Sequence, residues 1–328
     1  MRTAIFCFKK SLCIWPRPLA RGAGGCDPMA AWCRGAAVHA ASAIVLSGIA
    51  MWISSCTPSS PVRFPPERFS FAVLDVGQGL SQIGVRNGSA VVWDMGAPSG
   101  FEGWRDGYEQ LGSPHISAIV ISHRDMDHKG GMQLLPATIN FDGTVIVSGH
   151  EDTAALRAFS ASWSAAIRFR IAGCGDTLAL LDGVTIECLW PPRSLESAGR
   201  IPAGDTANFL SLCFKVTFGY TSVCITGDID STAMRRIADM HAWTLKSDAV
   251  VVPHHGSAGA LEPVFYGYVV PDVAILSCGI NNPYGHPSPE VTHFLTMQMA
   301  AAVYTTDKEG HIMGTSNGDY WQWQGCGK

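Results

Sequence analysis

The chain has 328 residues, 47% of them hydrophobic and 15% charged, which is enough apolar side chain for a large core and too much for a disordered protein. Its 23 basic and 27 acidic residues are unevenly spread. Six of the basic ones and only Asp27 of the acids lie up to Cys56, so the remainder holds 17 against 26, a net charge of −9. A body that acidic has no general attraction for nucleic acid, and any such substrate would have to be held in a local groove.

Residues 1–56 read as an N-terminal extension followed by an export signal. Arg34 precedes an apolar run over 36–53, which is shorter than the roughly 20 residues of a spanning helix and ends in Ile53-Ser54-Ser55-Cys56. That ending resembles the bacterial lipobox. The resemblance implies a lipid on Cys56, an exported lipoprotein anchored to the membrane in the cell envelope, and a natural start at Met29. Residues 57–68 are a Pro/Ser linker. Six of the eleven cysteines, Cys174, Cys188, Cys213, Cys224, Cys278 and Cys326, belong to the body. With no CxxC pair among them they read as free, and Cys213, Cys224 and Cys278 as small core residues inside apolar runs.

From residue 69 short strands alternate with turns. Strands are expected over 69–76, 81–85 and 90–93, the last two joined at Asn87-Gly88, a strong hairpin signal. A fully apolar strand over 118–122 runs into His123-Arg124-Asp125-Met126-Asp127-His128. A strand over 144–148 and helical spacing over 152–166 follow. The second half gives strands over 185–190, 209–218, 222–226, 249–252 and 273–277. In the strand 209–218, Leu210, Leu212, Phe214, Val216 and Phe218 share one face. Ser288-Pro289 reads as the N-cap and first position of a helix to 298, and a strand over 303–306 with the turn 307–310 closes the domain. The expected architecture is a layered α/β domain with polar clusters at the ends of its strands.

The chemistry concentrates in those clusters. His123, Asp125 and Asp127 alternate as the chain leaves its strand, and His128 follows directly. Two imidazoles and two carboxylates this close make sense when cations hold them, because otherwise the carboxylates would repel or take up protons. Asp94, Asp228 and His254-His255 each follow an apolar strand in the same way. His150 sits in a plain turn, and Ser257 lacks the base and orienting group of a nucleophilic serine. The residues alone point to a bound metal.

The order Asp94, His123-x-Asp125-x-Asp127-His128, Asp228, His254-His255 resembles the metallo-β-lactamase superfamily, an αββα sandwich with a dinuclear metal site. More narrowly, Leu-Asp-Val-Gly-Gln-Gly (74–79), the segment 122–131, Ile-Thr-Gly-Asp (225–228), Val-Pro-His-His-Gly-Ser (252–257), Tyr-Gly-His-Pro-Ser-Pro-Glu (284–290) and Thr-Asp-Lys-Glu-Gly (306–310) resemble the hydrolase domain of the ComEC competence proteins, standing alone over 69–323 with a tail at 324–328. The resemblance implies that His123 and Asp125 help hold one divalent cation and Asp127, His128 and one of the paired histidines the other, with Asp228 bridging; His255 is the preferred ligand and His254 the group left for substrate or proton transfer, a choice that adjacency alone leaves open. Asp94 would orient the cluster. Asn208 stands near the place of the superfamily's missing histidine, which leaves one ion short of nitrogen ligands and favours Mn²⁺ over Zn²⁺ there. His254, Asp228 and His286 would serve catalysis. The implied activity is cleavage of a phosphodiester, with single-stranded DNA as substrate and no protein partner. Two alternatives are a same-fold hydrolase of a small or envelope-linked ester, of the phosphorylcholine or lactone type, and an inactive metal-binding module.

Overall fold

The computed structural model describes residues 67–137, 139, 141–151, 167–198 and 206–328. The apolar signal, Met29, Cys56, most of the linker and the segment 152–166 lie outside the described residues. Among the described residues no helix is long and apolar enough to cross a membrane.

Period-two alternation builds two sheets that face each other. Among the described residues, one has eight strands in the order β15 (Trp321–Gly325), β14 (Ile312–Ser316), β1 (Phe69–Val73), β2 (Gln82–Arg86), β3 (Ser89–Trp93), β4 (His115–Ile121), β5 (Thr144–Ser148) and β6 (Arg168–Ala172), and the other seven in the order β13 (Ala302–Thr305), β12 (Val273–Leu276), β11 (Ala249–Val251), β10 (Thr221–Ile225), β9 (Cys213–Phe218), β8 (Val184–Trp190) and β7 (Thr177–Leu181). In β1 (Phe69–Val73) the side chains of Phe69, Phe71 and Val73 enter the core between the sheets, where they meet Phe214 and Val216 of β9 (Cys213–Phe218). Ala72 and Leu74 point the other way, onto Phe101, Trp104 and Tyr108 of the helix Phe101–Gln110. Those three rings stack in sequence at 5.3 and 5.2 Å. Each fully buried large side chain of this kind stabilises the layer by roughly 1.5–3 kcal/mol. On the far side, Cys224, Val250 and Ala274 of the second sheet pack against the helices Ser231–His241 and Pro263–Val269. The layers run helix, sheet, sheet, helix, which is the expected αββα sandwich.

The hairpin of β2 (Gln82–Arg86) and β3 (Ser89–Trp93), the strand β5 (Thr144–Ser148) and the Ser288 cap all form. Other elements differ from expectation. The strand expected over 209–218 starts at Cys213, because 206–209 is a helical turn, and Leu210 packs with the outer layer instead of the inner one. The strands β6 (Arg168–Ala172) and β7 (Thr177–Leu181) and the three helices named above were not expected. Nor does the chain close at 310, since β14 (Ile312–Ser316) and β15 (Trp321–Gly325) extend the first sheet. Trp321 and Trp323 lie against Phe69 and Phe71, and Lys328 Nζ reaches Asp75 Oδ2 at 3.0 Å. Gln324 and Gly325 are thus part of β15, and Cys326 N and Gly327 N donate to His311 O and Glu309 O, both at 2.8 Å. None of the six cysteines of the body forms a disulfide, and Cys188, Cys213, Cys224 and Cys278 are buried.

This topology positions the site. β3, β4 (His115–Ile121) and β5 run parallel in one sheet, and β10 (Thr221–Ile225), β11 (Ala249–Val251) and β12 (Val273–Leu276) run parallel in the other. Their carboxyl ends meet at one rim, the usual ligand position of an α/β sheet.

Candidate metal centre

Asp94 follows β3, His123 to His128 follow β4, Asp228 follows β10 and His255 follows β11. Backbone bonds stitch these loops together across the rim. Met95 N donates to His128 O at 2.6 Å, Leu80 N to Asp127 O at 3.0 Å, Leu212 N to Ser122 O at 2.9 Å and His254 N to Gly227 O at 3.2 Å. The cluster is thus held by main chain from both sheets and is rigid before any ligand enters.

Asp94 is buried, with φ at +56°, a conformation that Asp tolerates better than most residues. Its Oδ1 accepts from Ser122 N at 2.8 Å, and its Oδ2 accepts from Ser122 Oγ and from His128 Nδ1, both at 2.7 Å. His123 Nδ1 lies 3.0 Å from Ser122 Oγ and 3.4 Å from Ser211 Oγ. His255 Nδ1 donates to Ser277 O at 2.9 Å. All three rings therefore engage the protein through Nδ1 and turn Nε2 toward a common space. His123 Nε2 stands 3.5 Å from Asp125 Oδ2. His128 Nε2 stands 3.2 Å from Asp228 Oδ1. His255 Nε2 is 3.4 Å from Asp127 Oδ2 and 3.6 Å from Asp228 Oδ2. The two oxygens of Asp228 thus face different histidines.

Charge follows this geometry. Burial works to raise the Asp228 pKa, but the histidines 128 and 255 overcome it and hold the carboxyl well below the usual range. Burial likewise acts to lower His128 and His255, and in each the facing Asp228 carboxylate reverses the direction. Asp125 is lowered by its contact with His123, and Asp127 is lowered by His255 and His128 against burial.

Four of these atoms, His123 Nε2, His128 Nε2, His255 Nε2 and Asp228 Oδ1, are buried, make no well-aligned hydrogen bond and face only other members of the cluster. Ligand atoms of His123, His128 and Asp228 converge within 4.8 Å, as do those of Asp127, His128 and His255. An electron-pair acceptor at the centre would satisfy all of them at once, so the donor set fits divalent cations.

The paired histidines separate cleanly. His254, His255 and Gly256 take φ of +52°, +55° and +79° in succession, a strained turn that sends the two rings to different places. His255 is buried against the carboxylates. His254 is half-buried, with its ring 6.1 Å from that of His286. Burial lowers the His286 pKa, and its ring stacks on Tyr284. Asn208 Oδ1 is buried without a partner, and its carbonyl accepts from Ser211 N, one residue removed from the cluster. His150 turns its Nε2 to Pro192 O at 2.8 Å, and Ser257 Oγ accepts from Gly259 N at 3.3 Å. Sequence reasoning gave no role to the orienting groups Ser122, Ser211 and Ser277. Ser122 and Ser277 immediately follow apolar strands, and Ser211 lies next to β9, which is the one signal that would have found them.

No family model matches the chain. Over 234 residues it is 26% identical to Competence protein ComA of Neisseria gonorrhoeae, covering 70% of this chain and 30% of that protein. Over 259 residues it is 26% identical to ComE operon protein 3 of Bacillus subtilis (strain 168), covering 73% and 32%. The chain thus spans about a third of the length of these curated relatives. Among solved structures, the metallo-beta-lactamase fold protein YhfI from Bacillus subtilis superposes with a TM-score of 0.53 at 10% identity, covering 76% of this chain and all of that one. The chain is a metallo-β-lactamase-fold protein similar in sequence to the competence proteins.

Proposed function

We propose that the chain is a metal-dependent hydrolase that cleaves phosphodiester bonds in single-stranded DNA, with two divalent cations, Mn²⁺ or Zn²⁺, as resident cofactors. The observation that carries this reading is the convergence of four buried ligand atoms on His123, His128, His255 and Asp228, which face one another without a well-aligned hydrogen bond. Leaving such a group unpaired costs about 1–3 kcal/mol, so a fold that keeps four of them together keeps them for a ligand. His123 and Asp125 would hold one ion, Asp127, His128 and His255 the other, and Asp228 would reach both through its separate oxygens. Cations bound there lower the pKa of water and neutralise charge on phosphate oxygens.

The chain's own groups supply the rest. Asp94 and Ser122 fix the His128 tautomer, so that Nε2 presents a lone pair. His254 and His286 stand on the solvent side of His255, where a proton can pass to a leaving oxygen or a hydrogen bond to a phosphate oxygen. Similarity to competence proteins supports DNA as substrate, and the lipobox-like Cys56 supports anchoring at the cell envelope.

Asp228→Ala should abolish cleavage, by at least about 10²-fold in turnover, while circular dichroism shows the fold retained. Undiminished activity would remove the bridging role. With Mn²⁺ or Zn²⁺ supplied, the wild type should cleave a single-stranded oligonucleotide. Cleavage of a bis-aryl phosphodiester without DNA cleavage would move the assignment to a small or envelope-linked ester. Cleavage of neither, with no metal bound, would leave a binding module.

A further inference from the structure

A line of four rings leads out of the cluster. His255, at its inner end, faces Asp127 and Asp228. The His254 ring follows at 6.3 Å, His286 at a further 6.1 Å and Tyr284 at a further 5.7 Å. The first two steps are edge-on, at 75° and 70°, whereas Tyr284 and His286 lie nearly parallel at 17°. Tyr284 is 68% exposed, so one side of its ring is supported by the imidazole and most of its surface is open to water.

This exposed aromatic is not on a loose loop. Asn282 Nδ2 donates to His286 O at 2.6 Å and to Gly279 O at 3.0 Å, while Asn282 Oδ1 accepts from His286 N at 2.9 Å. At the loop's origin Gly279 N donates to Gln78 Oε1 at 3.2 Å, and Ser277 Oγ to Gly79 O at 2.7 Å. The loop is therefore clamped to the same rim that carries the cluster, which holds the backbone on both sides of Tyr284 while its ring rests against His286. An aromatic residue held at the surface forgoes the burial of its open face, a face that a flat partner would cover.

We propose that Tyr284, backed by His286, is a stacking platform for a nucleobase of the single-stranded substrate, at the outer end of the line of rings that leads from the cluster. The inference rests on the phosphodiesterase reading above. It explains how a body of net charge −9 holds a polyanion without a general electrostatic pull. Stacking needs no basic groove and no sequence readout, because every base has a π-face.

The test uses the full chain with Mn²⁺ and compares oligo-dT with an abasic deoxyribose-phosphate oligomer of equal length. The wild type should show a KM about 5- to 150-fold higher for the abasic oligomer, the range of one base–aromatic stack. Tyr284→Ala should raise KM for oligo-dT by a similar factor, with turnover at saturation unchanged, and should lose the difference between the two substrates. Tyr284→Phe and Tyr284→Trp should retain it. Equal KM for Tyr284→Ala and wild type on oligo-dT would overturn the platform. So would a fall in turnover on both oligomers alike, which would mark Tyr284 as a prop for His286. If the wild type cleaves neither oligomer, the phosphodiesterase reading fails first and the platform falls with it.

Discussion

Each of the three imidazoles in the cluster has its Nδ1 tied to a protein group, and this common wiring sets the tautomer before an ion arrives. The strongest case is His128, whose Nδ1 meets the buried Asp94 carboxylate at 2.7 Å. Asp94→Asn can offer an amide N–H in place of that acceptor, which would flip the tautomer and put a proton on Nε2. Cation affinity should fall about 10–100-fold, read by competition with a chromogenic chelator, and unchanged affinity would refute the orienting role. A second consequence concerns Cys278, buried beside Asp307. Burial first, and the carboxylate second, push its thiol up to about 12. Maleimide at pH 8 should therefore spare Cys278 in the native protein and label it only after unfolding; rapid native labelling would contradict this. The ligand types were legible in the sequence because His and Asp gather after apolar strands. The split between His254 and His255 was not, because it is made by two successive positive φ angles that no side-chain pattern announces. Ser122, Ser211 and Ser277 were equally silent, since serines at strand ends are common and Ser277 acts here through its backbone carbonyl.

The parallel strands that end at the site were read within a few residues, because full burial leaves continuous apolar runs. The helix Phe101–Gln110 was missed for a reason that the structure explains. Gly103 and Gly107 lower its intrinsic propensity, yet a Cβ at Gly103 would run into the carbonyl oxygen of Asp75, and one at Gly107 would come within 2.6 Å of Leu74 Cδ2. The glycines let this helix lie close against the segment after β1. Gly103→Ala, favourable in an isolated helix by roughly 0.5–1 kcal/mol, should here destabilise by at least about 1 kcal/mol, measured by urea unfolding; a stabilised variant would show that the close approach is not required. The same clash argument applies where the cluster ends, since a Cβ at Gly131 would meet the carbonyl oxygen of Met95. Edge strands β6 and β7 escaped notice because β6 buries only one of its five residues and so carries no alternation.

Among the described residues, two sheets of fifteen strands in all are placed so that the carboxyl ends of their parallel strands share one rim, with helices packed on their outer faces. The candidate ligands come from three loops, those after β4, β10 and β11, and the spacing of His123, Asp228 and His255 along the chain has meaning only once the sheets are stacked. A cation that binds the folded cluster and not the unfolded chain must stabilise the protein by mass action. At a hundredfold excess over its Kd the gain is about 2.7 kcal/mol, visible as a rise in Tm that a chelator reverses, whereas Asp228→Ala should show little of it. The acidic body and the exposed Tyr284 together predict a DNA affinity with a shallow salt dependence, unlike that of a basic nucleic-acid binder. The most direct measurement of the central claim is the number of Mn²⁺ or Zn²⁺ ions held per chain, by equilibrium dialysis and elemental analysis. Two ions are expected in the wild type, with tight binding lost in Asp228→Ala; a wild-type chain that binds none, or an Asp228→Ala chain that keeps both, would overturn the two-ion site.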